Sequence, residues 1–186
     1  MTARSPRFWA ADLLHVWFAE LTPADWFGGS DAVDHLLRRR FARWIEPLAG
    51  QPPERFLGDP RTALASVLLF DQLPRNLWRG TARAFAYDGL ARAITHGALD
   101  RGFFDALAAP VERQFLAMPL MHSEQIADQR LSLAIFRKLG PRHGWPFARS
   151  HYKMVARFGR FPHRNDVLGR QSTPAEVRAV ATGFSW

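Results

Sequence analysis

Cysteine is absent from this chain. Disulfides, thiolate catalysis, iron–sulfur clusters and cysteine zinc sites are therefore excluded. Lysine is almost absent too: Lys138 and Lys153 stand alone, so nearly all the positive charge is arginine. No apolar run reaches membrane-spanning length, and ALASVLLF (63–70) is too short to cross. The N-terminus, MTARSPRFWAADLLHVWF, has no clear apolar signal core or small-residue cleavage site, so a cytoplasmic location and no membrane partner are expected. Sustained period-2 alternation between turn residues is also missing, which leaves strands without support.

What is present fits one domain over residues 1–186 with a sizeable core. A hydrophobic share of 47% with 23% charged residues is that of an ordinary soluble globule, which argues against disorder. The net charge of +8 raises nucleic acid or acidic lipid as partners. Read along the chain, however, the arginines are scattered, and RRR (38–40) is the only run. Nucleic-acid binding is therefore not expected.

Helical signals dominate. Residues 8–19 place Trp9, Leu13, Val16 and Trp17 on one stripe. Thr22 and Pro23 open a short helix. A helix from about Asp31 to Leu48 carries Val33, Leu36, Leu37, Phe41, Trp44 and Ile45 at helical spacing, with Arg38, Arg39 and Arg43 outward. Asp59 and Pro60 open a helix that is apolar almost all round from 63 to 70 and so should lie centrally; Pro74 is expected to stop it. A helix over 79–97 has Thr81 as N-cap and Gly97 as stop. The stretch from Phe103 to Gln125 is expected to break at Pro110 and Pro119. Ser123 is read as capping a helix to about Leu139. Residues 145–157 form another helix, and STPAE (172–176) is a capping box for the last. The result is an all-α fold of about seven to nine helices. Its helix-pair spacing resembles a tetratricopeptide-like superhelix, although the signature of that repeat is absent. Trp9, Trp17 and Trp26 serve either the core or a homodimer surface, with the core preferred.

Three polar clusters stand out. DQLPRN with RGTARAF supplies Asp71, Gln72, Arg75, Asn76, Arg79 and Arg83. A carboxylate at the end of a buried helix needs a partner, and Arg75 or Arg79 would serve. MPLMHSEQIAD supplies His122, Ser123, Glu124 and Asp128. A histidine at a helix N-terminus would be held neutral, fit to act as a base. RFGRFPHRN (157–165), with His151 upstream, supplies Arg157, Arg160, His163, Arg164 and Asn165. Phe158 and Phe161 would anchor this loop so that its cations are held rigidly. Arginine suits bidentate contact with carboxylate or phosphate. The same arginines could instead neutralise Asp71, Glu124 and Asp128 as a salt-bridge hub. Spacing among His122, His151, His163 and the carboxylates is too irregular for a metal site, and no cofactor motif is present.

LLFDQLPRNLWRGTARAFAYD, PLMHSEQIADQ and ARFGRFPHRNDVLGRQSTPAE together resemble the bacterial family called domain of unknown function 924, from about Val16 to Val180. The family's usual DQFPRN has Leu73 as its third residue here, an apolar exchange. The resemblance implies an all-helical, tetratricopeptide-like arrangement and no settled activity. The matching positions are mostly polar, so the three clusters are expected to converge on one concave site. In that site Asp71, Glu124, His122 and His163 are the candidate acid–base groups. Gln72, Arg75, Asn76, Arg79, Arg157, Arg160, Arg164 and Asn165 are the candidate ligand-holding groups. A small phosphate- or carboxylate-bearing ligand is the expected partner, with hydrolysis or group transfer as the chemistry. The alternative is a tetratricopeptide-like protein-interaction module without catalysis.

Overall fold

The structure, a computed structural model, describes residues 8–183, and within them it is all-helical with no strand. The α-helices are α1 (Phe8–His15), α2 (Pro23–Gly28), α3 (Asp31–Ala49), α4 (Pro60–Val67), α5 (Leu73–Leu77), α6 (Asp88–Asp100), α7 (Phe103–Ala106), α8 (Pro110–Met121), α9 (Ile126–Leu139), α10 (Trp145–Phe158) and α11 (Pro174–Ala181). Eight of these run to eight residues or more.

α4 forms the axis of the core. Asp59 caps it by accepting from the Thr62 amide at 2.8 Å. Every residue from Ala63 to Phe70 is fully buried, as a helix apolar on all sides requires. Each such Leu or Phe contributes about 1.5–3 kcal/mol relative to exposure. α1, α6 and α8 pack around α4, α9 packs on α8, and α10 packs on α9. Val33, Leu37, Phe41 and Ile45 bury the inner stripe of α3. Trp9 and Trp17 are core residues, and Trp26 packs against the core with its indole N–H donating to the Trp17 carbonyl at 2.8 Å. A second, smaller apolar cluster joins Met154, Val155, Phe161 and Ala179.

Five local expectations are corrected. Pro74 does not stop the helix. The chain widens into a π-turn at Leu68–Gln72, where the Leu73 amide donates back to Leu68, and α5 follows directly. In a regular helix the Pro74 ring would meet the carbonyl of residue 70; the wider turn relieves that clash. Pro119 lies inside α8 rather than breaking it. Residues 82–85 form a separate 3-10 turn before α6, and Thr81 uses its hydroxyl on the Trp78 carbonyl. Gly97 sits within α6, where an added Cβ would stand 2.3 Å from Leu57 Cδ1; close packing, not helix termination, accounts for it. Finally, Gln125, not Ser123, is the N-cap of α9.

Candidate functional site

The π-turn places Asp71 at the centre of a buried polar cluster. Its side chain has no solvent exposure. The His122 Nδ1 lies 2.8 and 2.9 Å from the two carboxylate oxygens. Arg75 lies 3.3 Å from the same carboxylate, and its guanidinium also donates to the Asp71 carbonyl. Gln72 Nε2 donates to Asp71 as well. Burial alone would raise the Asp71 pKa, but Arg75 and His122 reverse that and hold the group well below the usual carboxylate range. An ionised carboxylate only accepts hydrogen bonds, so His122 must carry its proton on Nδ1 when neutral. Its Nε2 is then left as the basic nitrogen.

His122 does not sit at a helix N-terminus, as its sequence context suggests. It is the C-cap of α8. Its pKa is lowered, chiefly by burial, against the opposing pull of Asp71. The turn after it fixes three successive side chains to three different partners. His122 reaches Asp71. Ser123 donates to Asp128 at 2.7 Å. Glu124 accepts two bonds from Arg170, at 2.7 and 2.9 Å, and one from the Phe161 amide at 2.7 Å. Gln129 closes the turn, its amide donating to the Met121 and Ser123 carbonyls.

Asp88, at the start of α6, extends the cluster. Arg75 chelates it at 2.9 and 3.0 Å, and Arg164 approaches it at 3.3 Å. The buried Arg164 guanidinium lies between the rings of Phe85 and Phe161, 4.5 Å from each centroid. Burial, then the like charge of Arg75, lowers its pKa to about 10, so it stays cationic at neutral pH. Two further histidines line this region. The His151 ring is 6.0 Å from that of His122 and 5.4 Å from Phe161; burial lowers its pKa to about 3. Burial, and then Arg164, lowers His163 to about 4.

Asp71, Gln72, Arg75, His122, Glu124, His163 and Arg164 are thus brought to one region from all three sequence clusters. Other candidates lie elsewhere or serve the fold. Arg79 pairs with Asp34 on α3 at 2.7 Å. Arg157 is exposed and covers the Phe158 ring. Arg160 holds Glu176, the capping-box residue of α11, at 2.7 and 3.0 Å. Asn165 is buried and donates to Ser172. Asn76 is half-buried beside Arg75. Asp88 and Phe85 were missed by sequence reasoning, although AFAYD lies within the stretch that carries the family resemblance. Two surface grooves, of about 580 and 390 Å³, are lined by residues such as Leu14, Phe18, Asp59 and Arg61, and by Trp9, Phe56 and Thr62. Neither touches the polar cluster. No helix among the described residues is long and apolar enough to cross a membrane.

A comparison with curated proteins finds no match. A solved structure of a protein of unknown function from Agrobacterium tumefaciens is similar at 36% identity and a TM-score of 0.87, covering 94% of this chain and 97% of that one. The model of a bacterial protein family of unknown function, DUF924, matches residues 13–183, and the chain belongs to that family.

Proposed function

We propose that the Asp71–His122 pair is a general-base site acting on a small phosphate- or carboxylate-bearing ligand held by Arg164 and Arg75. The observation that carries this reading is the Asp71 carboxylate, fully buried and within 2.8–2.9 Å of His122 Nδ1 through both oxygens. Such a carboxylate fixes the ring's tautomer and orientation and leaves Nε2 free of a proton. Arg164 supplies the anion contact. Its ion pair is with Asp88, which Arg75 already chelates, and its buried Nε has no hydrogen-bond partner among the described residues. The balance of charge supports the same reading. Asp71, Asp88 and Glu124 face Arg75, Arg164 and Arg170, so the cluster is neutral only while its histidines are neutral. The chemistry such a site performs is hydrolysis or group transfer, with His122 taking a proton from water or another acceptor hydroxyl.

The test is a thermal-shift screen of the protein against inorganic phosphate, nucleoside phosphates and small carboxylates. A ligand at about 100 times its dissociation constant stabilises the native state by about 2.7 kcal/mol. For a chain of this size that raises the melting temperature by roughly 5–11 °C. The shift is expected to vanish in Arg164→Lys and His122→Asn. It should persist in Arg160→Ala, whose guanidinium belongs to Glu176. If no anion shifts the wild type, the cluster is a salt-bridge hub and the reading fails.

A further inference from the structure

We infer that the outward face of α10, continued by the end of α9, is a docking surface for single-stranded nucleic acid, bound through its phosphates. The excess charge of the chain is concentrated here. Residues 129–165 contain no acidic residue, yet they hold nine of the 25 Lys and Arg. Two of the nine, Arg160 and Arg164, have the carboxylate partners already described. The other seven are Arg130, Arg137, Lys138, Arg142, Arg149, Lys153 and Arg157. All seven are exposed, and none forms an ion pair among the described residues.

Helix dipoles account for some of this. Arg137 and Lys138 end α9, and Arg157 ends α10, where cations favour the C-terminal carbonyls. They do not account for Arg149 and Lys153, or for a helix with no acidic residue anywhere along it. Arg149, Lys153 and Arg157 are spaced i, i+4, i+8 and so share one face, in steps of about 6 Å along the axis. Unopposed like charges at this spacing repel, which weakens the helix that carries them. A polyanion removes that repulsion.

The aromatic residues separate nucleic acid from a membrane. Arg149 lies over the Trp145 ring and Arg157 over that of Phe158, which holds two guanidinium planes on which unpaired bases can stack. A bilayer would need an outward apolar stripe as well. That stripe of α10, Ala148, His151, Met154 and Val155, is buried in the fold.

The experiment measures fluorescence anisotropy of a labelled single-stranded RNA, titrated with the full chain at several salt concentrations. If three phosphates are engaged, log K should fall with log salt at a slope of about −2, or roughly twentyfold between 50 and 200 mM. The double variant Arg149→Glu/Lys153→Glu should weaken binding at least tenfold. Arg39→Glu/Arg43→Glu makes the same charge change on the exposed face of α3 and should weaken it far less. Equal loss in the two variants would mean that net charge alone draws the RNA, and the surface assignment fails. No binding at the lowest salt, or binding only to phosphatidylserine vesicles, overturns it as well. Unchanged melting temperatures in both variants keep a folding defect from imitating the expected result.

Discussion

Acid should destabilise this protein earlier than its carboxylates alone would cause, and His151 is the reason. The ring is buried on α10, its Nδ1 is 2.8 Å from the Phe147 carbonyl, and its pKa is about 3. The groups that face it are His122, His163 and Arg164, all of which disfavour a further positive charge. In the unfolded chain the same histidine titrates near 6.5. The folded pKa is therefore depressed. The stability it contributes is complete above about pH 6.5 and is lost as pH falls towards 3. Each pH unit in that window removes about 1.4 kcal/mol per histidine. Between pH 6.5 and 4.5 His151 alone should lower the unfolding free energy by about 2–3 kcal/mol. His163, with a pKa of about 4, adds to the loss over the upper part of the window. Asp71 does not confuse the result, because its lowered pKa acts only below the ordinary carboxylate range. Urea unfolding at half-unit steps from pH 8 to about 4.5 reads the slope directly. His151→Phe loses one hydrogen bond and should start slightly less stable at pH 8. Its stability should then fall more gently with acid than that of the wild type. A flat wild-type curve above pH 5, or parallel curves for the two proteins, refutes the argument.

Two other substitutions test the fold around the site. Asp71→Asn keeps the shape but leaves Arg75 and His122 facing a neutral amide. Removing one partner of a buried pair costs about 3–5 kcal/mol, and the value here should sit at the lower end because Arg75 keeps Asp88; urea unfolding at pH 7 showing less than about 1 kcal/mol would contradict the assigned charge state. Thr173→Ala removes the hydroxyl that accepts from the Glu176 amide at 3.3 Å and should cost about 1 kcal/mol. The loss should appear as faster amide exchange in α11, while any ligand-induced thermal shift is unchanged.

The helices were legible because their signals are local. Asp59–Pro60 and Thr173–Pro174 announce their starts, and the apolar run 63–70 announces its own burial. Pro74 and Pro119 misled because a proline's effect depends on whether the turn before it can widen or its missing donor is tolerated. At the site, Asp71, His122 and Arg164 could be named from residue type, but their pairing could not. The partners are 51 and more residues apart in sequence. Asp88 was passed over because the helix expected over 79–97 put it in mid-helix, whereas the structure begins α6 at that residue. The cations of α9 and α10 look scattered in one dimension because a helix brings together residues that its sequence keeps four apart.

The π-turn at Leu68–Gln72 encloses one residue more than an α-turn does. It sits within an otherwise continuous rod from Pro60 to Leu77. Deleting one residue there would restore the ordinary period with little change in the phase of the helix on either side, because the wide turn absorbs its extra residue within itself. The damage would fall inside the turn, on Asp71 and its neighbours, and on Pro74, whose ring would again meet the carbonyl four residues before it. A one-codon deletion would thus spare most of the packing around α4 and strike the chemistry.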